Sequence, residues 1–155
     1  MARGWPFFFC LLLLDLVTKG MAISWVPPLS FGWYPFGGIG IFSAGGITFS
    51  LNYIVNTGAA WGAFPGHSGL LFALRAGIIV ALVLFAPKRF PIWLVITGAI
   101  GNVIDYCLYG HVIDFLHFTF WGYSFPIFNI ADSCITTGIL ALLFFPRKAK
   151  AVSTL

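Results

Sequence analysis

Four long apolar stretches punctuate the chain, at Trp5–Val26, Gly69–Ala86, Pro91–Leu108 and Pro126–Phe145. Crossing ~30 Å of hydrocarbon takes ~20 mainly apolar residues. The pattern therefore predicts an all-α membrane bundle of four transmembrane helices. The third stretch is short and holds glycines, which suits close packing against neighbouring helices. The connection 27–68 is uncharged and rich in Gly, Phe, Trp, Tyr, Ile and Pro. Its second half, IGIFSAGGITFSLNYIVNT, sets β-branched and aromatic residues between glycines and predicts two or three short strands. Such a sheet is too apolar to stand in water. It is expected as a small extracytoplasmic β platform on the outer leaflet, with Trp25, Trp33, Tyr34 and Trp61 as interfacial anchors. The other long connection, 109–125, is also aromatic and is expected as a loop.

Composition sharpens this picture. At 155 residues the chain is expected to form one domain, 1–155. Its hydrophobic content of 60% and charged content of 8% exclude an ordinary soluble domain, which carries ~25% charge. Mean hydropathy is +0.99. The net charge of +4 is not clustered as a nucleic-acid surface requires, so no nucleic-acid partner is expected. The basic residues instead report topology. Arg3 precedes the first stretch, Lys88 and Arg89 fill the turn between the second and third, and Arg147, Lys148 and Lys150 follow the fourth. Neither long connection holds Lys or Arg, so both termini belong in the cytoplasm and both connections face outward. The first stretch also imitates a cleaved leader, with Arg3, the Phe7–Leu14 run and small residues near Gly20–Ala22. Asp15 and Lys19 interrupt that pattern, and losing the stretch would leave three spans, so it reads as a membrane helix.

Acids are where the chemistry concentrates. The chain has no Glu, and Asp15, Asp105, Asp114 and Asp132 each lie within or beside an apolar run. An ionised carboxylate near hydrocarbon needs a partner, a wet cavity or a function. Asp114 lies six residues past the third stretch, and Asp132 is expected about two turns into the fourth helix. A helix running outward and one returning bring both to similar depth near the outer interface. Two carboxylates sharing a low-dielectric site cannot easily both ionise, which equips them to activate water and polarise a carbonyl together. The bland alternative is that they cap or tie helix ends. Asn102 with Asp105, and Asn129 with Asp132, are spaced three apart on these two helices, either supporting the acids or bonding helix to helix. Asp15 and Lys19 are four apart, a neutralising pair unless Lys19 reaches a lipid headgroup or a substrate carbonyl. In NTGAAWGAF (56–64), small residues permit close approach of another backbone.

Other chemistries find little support. His67, His111 and His117 match no metal-ligand spacing, and neither do Cys10, Cys107 and Cys134. Cys107 and Cys134 could approach each other at one membrane face. No GxSxG or HExxH motif is present. A small proton- or ion-coupled transporter and a non-catalytic membrane scaffold are the competing readings; the lack of an inverted repeat counts against the first.

Nearly the whole chain resembles the lipoprotein signal peptidases (signal peptidase II). The residues that carry the likeness are DLVTK at 15–19, NTGAAW at 56–61, GAIGNVID at 98–105 with HVIDF, and FNIADS at 128–133. The resemblance implies an aspartic endopeptidase of the bacterial cytoplasmic (inner) membrane that cuts before a diacylglyceryl-modified Cys of prolipoproteins. It implies Asp114 and Asp132 as the catalytic pair and no metal or cofactor. Asn56, Gly58, Ala59, Asn102, Asp105, Asn129 and Ala131 would shape or support the site, with Asp15 and Lys19 on the lipid or structural side. Membrane lipid and lipid-modified precursors are the partners expected of a monomer. Two positions depart from the family pattern: Tyr106 stands where Arg usually follows the Asp of GNxxD, and Trp61 replaces Phe. Either another base such as Arg75 compensates for Tyr106 or substrate handling differs.

Overall fold

The computed structural model describes residues 4–27, 38–57 and 68–145. Helix α1 (Trp5–Trp25) starts with Pro6 in its first turn, where a missing N–H leaves nothing unpaired. It ends at Val26, which Pro27 holds extended at φ −95°, ψ 124°. Helix α2 (Ser68–Phe85) leads through a tight turn into α3 (Phe90–Tyr109), which opens on Pro91. Gly110 terminates α3 in the left-handed region at φ 75°, its N–H donating to the Tyr106 carbonyl at 2.9 Å. These three helices lie within a residue of their apolar stretches.

The fourth does not. Helix α4 covers Ile130–Phe144, so it begins four residues later than the apolar pattern indicates. The residues before it are extended because Phe128 pairs with Leu116: the Leu116 N–H donates to Phe128 O at 2.8 Å and Phe128 N–H to Leu116 O at 3.1 Å. Asn129 then caps the helix, accepting the Asp132 N–H at 2.8 Å. Asp132 therefore sits in the first turn, not two turns in.

The sheet has four antiparallel strands in chain order: β1 (Ile39–Ala44), β2 (Ile47–Asn56), β3 (Val112–Phe120) and β4 (Tyr123–Ser124). Strands β1 and β2 are those expected of the first long connection, joined across Gly45 and Gly46, both at positive φ (58° and 81°) as a tight hairpin turn needs. The second connection, expected as a loop, supplies the other half of the sheet. Its VIDFLHFTF run has little alternation of its own; it becomes a strand because β2 offers it a long partner, pairing Asn56 with Val112 and Ile54 with Asp114.

Helix α3 is the hub, touching α1, α2 and α4 as well as β3. Glycines allow close approach around it: a Cβ on Gly138 of α4 would lie 2.6 Å from the Pro91 backbone O of α3, and one on Gly101 of α3 would lie 2.6 Å from the Asp15 side-chain Oδ2. The helix ends also sort by charge. Arg89 Nη2 donates to Phe145 O at 2.8 Å, Lys88 lies 5.7 Å from the Trp93 ring, and Trp93 meets Trp5 at 4.7 Å. The start of α1, the α2–α3 turn and the end of α4 thus share one end of the bundle. Polarity is inverted relative to a soluble fold. Trp5, Phe9, Leu13, Val17, Leu70, Leu74, Leu143 and Phe144 are exposed, while Asp15, Lys19, Asn102, Asp105, Asp114 and Asn129 are buried. Helices α1 and α3 are long and apolar enough to cross a membrane. Trp25 is exposed; Trp33, Tyr34 and Trp61 lie outside the described residues.

Candidate active site

The buried polar residues form one connected group where the helices meet the sheet. It begins on α1, where Lys19 Nζ contacts Asp15 Oδ2 at 2.7 Å, Asp105 Oδ2 at 2.8 Å and Asn102 Oδ1 at 3.1 Å. Lys19 is only 2% exposed, so its ammonium is directed inward and has no route to a lipid headgroup. Burying this charge is tolerable because two carboxylates flank it and Asn102 accepts a hydrogen bond from it. The two acids also hold the backbone. Asp15 Oδ1 accepts the Ala131 N–H at 2.8 Å in the first turn of α4, where an anion meets the positive end of the helix dipole. Asp105 Oδ2 accepts the Ile113 N–H at 3.1 Å, fixing the start of β3 one residue before Asp114.

Asparagines carry the group on to the remaining carboxylates. Asn102 Nδ2 donates to Asp132 Oδ1 at 2.8 Å, and Asn129 Nδ2 donates to Asp114 Oδ1 at 2.7 Å. Asn129 Nδ2 also lies 3.2 Å from Asn102 Oδ1 and 3.1 Å from Ile113 O. Asn56, at the end of β2, donates to Asp114 Oδ2 at 2.8 Å. Both oxygens of Asp114 are thus held by amide donors, and its orientation is set by a strand on one side and a helix cap on the other. Burial, and next the charge of Asp132, push the Asp114 carboxyl up to about 7, against the opposing pull of Asn56, Lys19 and Asn129.

Asp114 and Asp132 line one cavity of about 940 Å³, within the usual range for a ligand site. Its walls are mostly apolar, with Ile54, Val112, Phe125, Phe128 and Ile135 beside Asn56, Asn102 and the two acids. Such a space suits an apolar ligand with one reacting polar group. The sequence-derived residues Asp15, Lys19, Asn56, Asn102, Asp105, Asn129 and Ala131 all join this network; Gly58 and Ala59 lie outside the described residues. Asn129 contributes as a helix cap and not from within a helix.

Arg75 of α2, offered above as a base to compensate for Tyr106, also lines the cavity. One feature was not anticipated. A second buried polar set crosses the sheet, where His117 lies 2.8 Å from Ser124 Oγ and 3.4 Å from Ser50 Oγ, and Asn52 donates to Ser50 at 2.9 Å. Burial lowers the His117 pKa. Among the described residues, no three His, Cys, Asp or Glu side chains are arranged to hold a metal ion. Cys10, Cys107 and Cys134 are free thiols.

A helical bundle with an inverted polarity, a sheet at one end and two carboxylates facing one cavity defines a membrane protein with an enzyme-like site. The comparisons agree. The family model for signal peptidase (SPase) II matches residues 7–146, so the chain belongs to that family. It is 36% identical to the lipoprotein signal peptidase of Synechocystis sp., covering 96% of this chain and 91% of that one. It is also 36% identical to the lipoprotein signal peptidase of Chlamydia pneumoniae, over 88% of this chain and 87% of the relative. Two solved bacterial membrane enzyme structures, obtained by the in meso method, share the fold. One has a TM-score of 0.75 at 30% identity over 99% of this chain and 96% of the other; the second has 0.76 at 28% over 97% and 96%. The chain is a bacterial membrane protein.

Proposed function

We propose that this protein is a lipoprotein signal peptidase acting as an intramembrane aspartic endopeptidase, with Asp114 and Asp132 as its acid/base pair. The single observation that carries the reading is the pair itself: two carboxylates from distant parts of the chain line one cavity, each held by an asparagine amide. The pair shares one proton near neutral pH and titrates as a unit. A scissile peptide bond seated between the acids meets water on one side. The ionised carboxylate takes the proton of that water as it adds, and the protonated one donates to the carbonyl oxygen. The Asn56, Asn102 and Asn129 amides hold the acids in place so that little reorganisation is needed.

The substrate is a lipid-modified prolipoprotein, cut before its diacylglyceryl-modified Cys, and the apolar walls suit that cargo. Four spans with both termini in the cytoplasm follow from the positive-inside rule, supported by Lys88, Arg89 and the ends of α1 and α4 lying together. The site then lies near the outer leaflet. Purified protein incubated with a diacylated precursor tests the proposal: a shift to the mature form on a gel is expected. An uncut precursor, or ion flux through vesicles without cleavage, overturns it.

A further inference from the structure

Arg75 is the only charged residue of α2, about two turns in from Ser68. It lines the cavity with Asp114 and Asp132. Among the described residues its guanidinium has no hydrogen bond or ion pair, in contrast to Lys19, which is ion-paired to Asp15 and Asp105 and donates to Asn102. A charge at this depth in an apolar helix is costly and faces a cavity or a partner. Its direction is fixed by neighbours on the same helix. Phe72, three residues earlier, stacks on Tyr106 at 4.7 Å and 23°, and Gly69 leaves room for the Tyr106 hydroxyl, 3.5 Å from where a Cβ would sit. The 69/72 stripe therefore packs on α3, and Arg75 comes next along it, lining the cavity.

We propose that Arg75 binds carbonyl oxygens of the substrate, holding the lipidated segment while its scissile bond lies between the two acids. A guanidinium presents a planar fork of donors and no acceptor, so it fits oxygen acceptors. The neighbouring carboxylates disfavour an anionic group in the same cavity, which leaves neutral carbonyls. These come from two places in one substrate, the ester links of the diacylglyceryl group and the peptide backbone. The inference rests on the peptidase reading of the same cavity.

The test measures KM and kcat for wild type, Arg75→Gln and Arg75→Lys with two precursors, one carrying ester-linked diacylglyceryl and one its ether-linked dialkyl counterpart. Losing a charge-assisted hydrogen bond predicts a rise in KM of about ten- to a hundredfold in Arg75→Gln with kcat little changed. Arg75→Lys, which keeps the charge needed for the same insertion, raises KM by a smaller factor because it lacks the fork. If the penalty disappears with the ether substrate, the ester carbonyls are the ligand; if it persists, the backbone is. Either supports the proposal. Wild-type KM in both variants, or a fall in kcat at unchanged KM, overturns it. Failure of the wild type to cut either precursor sinks the peptidase reading instead, so the two failures are distinct.

Discussion

Asn129 performs two tasks that substitution can separate. Its Oδ1 caps α4 through the Asp132 N–H at 2.8 Å, and its Nδ2 holds Asp114 Oδ1 at 2.7 Å. Asn129→Ala removes both. The cap contributes about 1 kcal/mol, and a hydrogen bond to a charged group about 1.5–3 kcal/mol. A destabilisation of about 3 kcal/mol is expected for the two together, since the residue is fully buried and nothing replaces it. Freeing both Asp114 and the first turn that carries Asp132 misplaces the reacting groups, which costs about 10²-fold in kcat. Asn129→Asp keeps the capping oxygen but offers no donor to Asp114. It should regain most of the helix-start stability while remaining at least as slow as the alanine variant, because a third acid now faces the pair. Thermal unfolding in detergent and steady-state cleavage of a lipidated precursor read the two effects. Activity of Asn129→Asp within about threefold of wild type would refute the donor role.

Further outcomes follow from the same geometry. Lys19→Met leaves Asp15 and Asp105 buried without their cation and should destabilise the protein by about 3–5 kcal/mol in thermal unfolding, whereas a change below about 1 kcal/mol contradicts the network. Asp114 has its carboxyl raised from 3.8 to about 7, so the folded state favours its proton; the stabilisation is complete below about 4 and is lost as pH rises through about 7. The alkaline limb of kcat/KM should therefore fall near pH 7, where the pair loses its shared proton. Asn56→Ala removes a bond that favours the ionised acid and should move that limb upward; a downward shift or a flat profile counts against the assignment.

Much of this was legible in the chain because carboxylates and bases are expensive in apolar runs. Asp15, Asp105, Asp114 and Asp132 stood out together on that ground, and the apolar stretches marked α1, α2 and α3. What was not legible depended on partners. VIDFLHFTF reads as a strand only once β2 lies beside it, and Pro126–Phe128 leave the helix because Phe128 bonds back to Leu116. Helical spacing put Asp15 and Lys19 together, but a residue spacing does not say which face turns inward, so the contacts with Asp105 and Asn102 needed the fold. The sheet polar set around His117 was missed because Ser50, Asn52 and Ser124 are common strand residues with no signal of their own.

The central claim is that Asp114 and Asp132 together cut the peptide bond. Its most direct measurement is single-turnover cleavage of a diacylated precursor by Asp114→Asn and by Asp132→Asn, each checked for normal folding and substrate binding. The account predicts that both variants bind the precursor and leave it intact. Turnover near the wild-type rate in either one contradicts it.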